Sequence, residues 1–197
     1  MKQILLASTN RGKLKDLQLC LAGPWELVSP GHLGLQLDVE ESGLTYLENA
    51  RLKALAYSAA TGLPTLADDS GLEIDALNGE PGVFSARYLG LPDGPIKNAR
   101  VLELLAGVPT SRRGCRYRCV MVFLEPGCAE RSVEGICAGQ IAQAPAGQAG
   151  FGFDPIVRIP RLGRTLAELT EAERVQVNHR GRAARKLLSY LKTRPGS

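Results

Sequence analysis

The sequence predicts an α/β fold, and three observations carry that expectation. Short apolar runs that read as strands alternate with stretches whose apolar residues recur at helical spacing. Two capping boxes announce helices in separate parts of the chain. Glycine, proline and asparagine punctuate the joints between these segments. With 197 residues, 44% of them hydrophobic and 22% charged, the chain is long enough for one substantial core. Residues 1–197 therefore read as a single domain, without a linker, a low-complexity segment or an internal repeat.

Ile4-Leu5-Leu6-Ala7 is a short strand ended by the polar loop Ser8-Thr9-Asn10. Leu14, Leu17 and Leu21 then recur at helical spacing until Gly23-Pro24. Thr45-Tyr46-Leu47-Glu48 fits a capping box, so a second helix is expected from there to Thr61-Gly62, with Pro64 beyond. On that helix Asn49 and Lys53 share a face. Thr65-Leu66-Ala67 reads as a strand leading into Asp68-Asp69-Ser70-Gly71, where the Ser-Gly pair is expected to end it. Leu72, Ile74 and Ala76 alternate with polar or acidic neighbours before Asn78-Gly79 turns the chain, leaving the carboxylates between two extended pieces. A helix is expected near Ile96 to Ala106, and a strand buried on both faces over Tyr117 to Leu124. Arg131 to Gln143 looks extended, Ala146 to Gly152 is a glycine-rich loop, and Pro155 to Ile159 is strand-like. Thr170-Glu171-Ala172-Glu173 is the second capping box, and Ala184, Leu187, Leu188 and Leu191 give the last helix its apolar stripe.

Composition narrows the function. No run approaches the roughly 18–20 apolar residues of a membrane span, and the start turns polar too early for a signal peptide, so the cytoplasm is the expected location. A net charge of +4, with scattered basic residues, suits a phosphorylated small molecule as well as RNA. With only 5% aromatic residues, the interleaving of basic and aromatic side chains that favours single-stranded nucleic acid is missing. Five cysteines in a chain without a secretory signal point to reduced thiols. Cys115 and Cys119 would share a strand face, far in sequence from His32 and His179, so they read as small buried hydrophobes, not zinc ligands.

Four segments could carry chemistry. Ser8-Thr9-Asn10-Arg11-Gly12-Lys13 joins a strand to a helix, where free N–H groups and a lysine can hold phosphate oxygens, although it lacks the GxxxxGK pattern of a P-loop and alone reads equally as a capping turn. Asp68-Asp69, with Glu40-Glu41 if the fold brings it near, could gather around a divalent cation; Mg²⁺ takes one or two carboxylates, waters and substrate phosphates. An exposed acidic turn is the competing reading. In Gly150-Phe151-Gly152-Phe153-Asp154-Pro155 an aromatic ring beside glycine can stack on a base and Asp154 can accept from one, while a core-corner role is open for one of the two phenylalanines. Asn178-His179-Arg180-Gly181 offers donors that would suit a purine bearing O6 and leave buried donors unpaired against adenine; an arginine paired with a surface acid is the alternative.

In this order and spacing the segments resemble the inosine triphosphate pyrophosphatase family, most closely its bacterial dITP/XTP branch. The shared residues include Ser8, Asn10 and Lys13; Glu41; Glu48-Asn49-Ala50 with Lys53-Ala54; Ala67-Asp68-Asp69-Ser70-Gly71-Leu72; Pro81-Gly82-Val83-Phe84-Ser85-Ala86-Arg87-Tyr88; the Gly150–Pro155 segment; Ala167-Glu168-Leu169; and His179-Arg180-Gly181. The resemblance implies an elongated, twisted mixed sheet with flanking helices, two lobes around a substrate cleft, and a homodimer. It also implies hydrolysis of ITP, dITP and XTP between the α and β phosphates, with no stable nucleic-acid or membrane partner. By position, Ser8, Thr9, Asn10, Arg11, Gly12 and Lys13 would hold the phosphates with Lys53 as a second cation, and Ser70 would touch substrate. Asp69, Glu41 and Asp68 would hold Mg²⁺, Asp69 also being the catalytic base. Phe151 would stack on the base, with Gly152 and Phe153 beside it, Asp154, His179 and Arg180 would read its edge, and Arg174 would also contact substrate. Arg174 stands where the branch usually has lysine, Phe153 replaces a more usual Tyr or Trp, and Leu89 to Pro95 matches poorly. A Maf-type nucleotide pyrophosphatase and a non-catalytic nucleotide or RNA binder are the rival readings.

Overall fold

The structure, a computed structural model, describes residues 2–21 and 25–193. The helix stop expected at Gly23-Pro24 lies outside them. The chain runs β1 (Lys2–Leu6), α1 (Arg11–Cys20), β2 (Trp25–Val28), α2 (Tyr46–Thr61), β3 (Thr65–Ile74), α3 (Pro95–Leu104), β4 (Gly114–Leu124), β5 (Arg131–Ile141), β6 (Val157–Ile159), β7 (Arg164–Thr165), α4 (Glu171–Val177) and α5 (His179–Lys192). The strands form one mixed sheet in the order β2-β1-β3-β4-β5-β6-β7. β1 is parallel to β2 and to β3, whereas β6 is antiparallel to both β5 and β7. This is the mixed α/β fold the sequence predicts. No helix among the described residues is long and apolar enough to cross a membrane.

Two compact units can be distinguished: Met1–Asp69 with Cys119–Gly135 and Arg180–Ser197, and Ser70–Arg118 with Ile136–His179. In the first, the alternation of strand side chains sorts the core into two faces. Ile4, Leu6 and Leu66 pack with Leu17 and Leu21 from α1 and Leu187 and Leu191 from α5. Leu5, Ala7 and Ala67 point the other way, against Ala50, Ala54 and Tyr57 of α2. A leucine as fully buried as Leu5 contributes about 1.5–3 kcal/mol over an exposed one. The second unit has its own core, in which Leu72 and Ile74 pack with Val101, Leu105, Tyr117, Ile141 and Ile156.

The capping signals act as expected. Thr45 Oγ1 accepts from Glu48 N while the Glu48 carboxylate accepts from Thr45 N, and α2 ends at Gly62 in the left-handed region. Thr170 and Glu173 do the same for α4.

The structure departs from expectation in four places. β3 does not end at Ser70-Gly71: the two extended pieces are one ten-residue strand through the acidic run, halting at Ile74. Gly71 makes this possible by its lack of a side chain, since a Cβ there would collide with Gly82 O and come within 2.7 Å of Ser85 Oγ, which itself accepts from Leu72 N at 2.9 Å. β4 begins at Gly114 and is buried on alternate residues through Cys119, becoming continuously buried only over Met121–Phe123. Pro155 lies in a 3-10 turn (Asp154–Ile156), leaving only Val157–Ile159 as strand. β2 and β7, four and two residues long, are too short to carry a periodic signal.

Candidate active site

The alternation that sorts the core also separates the two aspartates. Asp68 follows Leu66 onto the face covered by α1 and α5, and Asp69 follows Ala67 onto the face of α2. Asp68 Oδ2 lies 3.0 Å from Lys13 Nζ and 3.5 Å from Arg180 Nε, and Cys119 Sγ approaches it at 3.9 Å. Arg180 Nη1 also donates to Asp16 Oδ2 at 3.1 Å, and the arginine and both aspartates are almost wholly buried. Burial opposes ionisation of Asp68, but Lys13, Arg180 and Lys53 overcome it and hold the carboxyl far below the ordinary carboxylate range. Burial likewise works against the Arg180 cation, and Asp68 and Asp16 more than restore it.

On the other face, Asp69 Oδ2 accepts from Asn49 Nδ2 at 3.2 Å and Asp69 Oδ1 lies 3.8 Å from Lys53 Nζ. Lys53 also meets Glu41 Oε2 at 3.1 Å, so Glu41 and Asp69 converge on one ammonium. The Asn49 amide can be oriented only one way, because its Oδ1 accepts from Gly43 N at 2.8 Å and its Nδ2 must then face Asp69. Burial raises the Asp69 carboxyl, Lys53 and Lys13 oppose the rise, Glu41 adds to it, and the net result is above the ordinary value. Adjacent aspartates are thus driven in opposite directions, Asp68 down and Asp69 up.

At the head of α1, Asn10 Oδ1 accepts from Lys13 N at 3.1 Å and Ser8 Oγ accepts from Asn10 N at 3.2 Å. This is the capping turn, and it leaves Thr9, Asn10 and Arg11 exposed. The first turn holds no acidic residue, so the positive end of the helix dipole is uncompensated from within. Gly12 and Lys13 are half-buried, with Lys13 already drawn to Asp68.

The remaining candidates belong to the second unit, and Ser70, half-buried, is its first residue. Phe151 is half-buried and its N–H donates to Asp154 Oδ2 at 3.1 Å, so the Asp154 carboxylate tightens its own loop. Gly150 must lack a side chain: its φ is +77°, and a Cβ would overlap Asp154 Oδ2 and crowd Arg174 Nη1 at 3.0 Å. Phe153 occupies the core-corner position, buried with Ile156 and Leu166, and Lys97 Nζ stands 5.9 Å from its ring. Its ring is therefore committed to packing. Gly152 O accepts from Asn98 Nδ2 at 3.1 Å. Arg174 is buried beside Gly150, and His179 stacks on Tyr117, with ring centroids 4.5 Å apart and planes 10° from parallel.

The structure brings Lys13, Asp68 and Arg180 together, and separately Glu41, Lys53 and Asp69; it places Asp68 and Asp69 on opposite faces and Glu40 in solvent. Asp16, Asn98 and Tyr117 escape sequence reading, as does the part played by Asn49. Asn49 carried a usable signal, being one helical turn before Lys53, and Asp16 lies one turn after Lys13. Nothing local marks Asn98 or Tyr117.

The Ham1 family model matches residues 4–190. A Gloeobacter violaceus protein named dITP/XTP pyrophosphatase is 48% identical over 189 residues, 96% of this chain and 94% of its own. One of the same name from Desulforamulus reducens is 43% identical over 191 residues, 96% and 95% of the two chains. Among solved structures, a HAM1 protein from Coxiella burnetii superposes with a TM-score of 0.88 at 39% identity, over 98% of this chain and all of that one.

Proposed function

The chain belongs to the Ham1 family, and from that premise we propose that it hydrolyses the non-standard purine nucleoside triphosphates ITP, dITP and XTP to the monophosphate and pyrophosphate. Relatives similar over nearly the whole chain carry the name dITP/XTP pyrophosphatase, which supports this reading. The observation that carries it is the gathering of Glu41 and Asp69 around Lys53, with Asp68 beside Lys13 on the opposite face of the strand. A protein that only binds an anionic triphosphate has no use for carboxylates beside its lysines, whereas a hydrolase needs a base there.

In this reading the head of α1, from Ser8 through Thr9, Asn10, Arg11 and Gly12 to Lys13, receives phosphate oxygens at the positive end of the helix, and Lys13 and Lys53 offset the charge growing on departing pyrophosphate. Asp69 takes the proton of the water that attacks the α phosphorus in line with the leaving group. Asp68, ionised throughout, anchors Lys13 and Arg180. Glu41 and Asp69 fit a hard divalent cation, because both already converge on the Lys53 ammonium. Those two residues would hold Mg²⁺, with Asp68 assigned to the lysine and arginine instead. Bound there, Mg²⁺ would supply neutralisation of phosphate charge and polarisation of the phosphoryl oxygens. Phe151 stacks on the base, the backbone of Gly152 and Phe153 flanks it, Ser70 contacts substrate, and Arg174 and His179 donate to O6, with Asp154 bracing the loop. Arg180 has its guanidinium between two carboxylates and acts chiefly through them. We further assign the chain a cytoplasmic location and no stable nucleic-acid partner, as its composition suggests, and a homodimeric state, as the family resemblance implies.

The test is pyrophosphate release from dITP with Mg²⁺ or EDTA, by wild type and Asp69→Asn. Wild type should turn over only with the metal, and the variant should lose about 10²–10⁴-fold in kcat while keeping its Tm. An Asn variant with near-normal kcat would remove Asp69 from catalysis.

A further inference from the structure

We propose that Tyr117 is a positioning residue for base selection, fixing the plane of the His179 ring by the stack between them. The proposal rests on the assignment of His179 as a reader of the purine edge. Both rings are buried, at 7% and 5% exposure, and lie 10° from parallel with centroids 4.5 Å apart. Tyr117 is itself held by the core of its unit, among Cys115, Cys137, Ile141 and Leu166, so the surface it offers His179 is rigid.

His179 needs such a surface. It is the first residue of α5, immediately after Asn178, whose ψ of 163° is extended. The helix start fixes its Cα, and the face of Tyr117 lies flat against the imidazole. Both ring nitrogens lie in the ring plane, and a base edge is read by hydrogen bonds in the plane of the base. The plane of the imidazole therefore decides whether a nitrogen reaches O6 or misses it. A flat aromatic face favours one ring plane through stacking, whereas an aliphatic side chain of similar bulk fills the space without that preference. The tyrosine hydroxyl has no part in this, so phenylalanine should serve as well.

The experiment measures kcat/KM for dITP and dATP on the full chain, for wild type, Tyr117→Phe, Tyr117→Leu, His179→Ala and the Tyr117→Leu/His179→Ala double variant, with Tm recorded for each. The dITP:dATP ratio is the readout, because partial unfolding lowers both substrates equally and cancels. Tyr117→Phe should keep the ratio. Tyr117→Leu should lower it about two- to tenfold, through the KM for dITP. His179→Ala should lower it further, and the double variant should match His179→Ala alone. If Tyr117→Leu keeps the ratio while His179→Ala loses it, or if the two effects multiply, the proposal fails and the reading of His179 stands. If His179→Ala keeps the ratio, the base-reading role itself falls and the positioning role goes with it.

Discussion

Arg180 is a buried cation held between Asp16 and Asp68. Removing one member of such a set costs most when it strands charge that cannot reach water. With Arg180→Met, Asp16 and Asp68 both remain buried and both lose the guanidinium they share. With Asp68→Asn, Arg180 keeps Asp16, and Lys13, whose side chain is already 16% exposed, can turn to solvent. Arg180→Met should therefore lose about 3–5 kcal/mol of unfolding free energy and Asp68→Asn only about 1–3 kcal/mol. Urea denaturation at neutral pH ranks the two, and an Asp68→Asn loss equal to or larger than that of Arg180→Met would contradict the shared-charge arrangement.

At the scale of elements, the position of each charged group follows from strand alternation and helix caps. β3 carries its parity through Asp68 and Asp69 because Gly71 admits Ser85 against the strand backbone. The cap of α4 has a measurable consequence. Glu173 is lowered from 4.5 to about 2, first by its bond to Arg164 and then by the N–H and hydroxyl of Thr170. A folded-state value below the unfolded one contributes stability that is complete above about pH 4.5 and is lost as pH falls towards 2. Glu173→Gln retains an acceptor for Thr170 N but not the charge. The wild type should melt above this variant at pH 6–7, and the gap in Tm should close between pH 4.5 and 2. Both partners are about two-fifths exposed, so added salt should narrow the gap at neutral pH. A gap that stays constant across this pH range would show that the charge contributes nothing.

For the whole molecule, what was legible in the sequence was local. The limits of α2 are written in Thr45, Glu48 and Gly62, and the capping turn of α1 in a strand that breaks before Asn10. β3 was read as two pieces because Asp, Ser and Gly are poor strand formers, and only its sheet neighbours make the run continuous. Asp16 pairs with an arginine 164 residues away, a separation no spacing rule reaches. The cysteines show the same division: strand alternation places Cys115 and Cys119 on one face, but their depth is a property of the assembled sheet. Burial pushes the Cys115 thiol up to about 12 and Cys119 higher still, and Cys20, half-buried, to about 11. Cys137 is buried as well, and Cys128 is exposed. Since the thiolate is the reacting species, an aromatic disulfide reagent at pH 8 should titrate one thiol quickly in the native chain, and all five after denaturation. Loss of the fast phase in Cys128→Ser would assign it. A second thiol reacting as fast, surviving that substitution, would mean that α1, β4 or β5 opens to solvent far more readily than the burial of its cysteine implies.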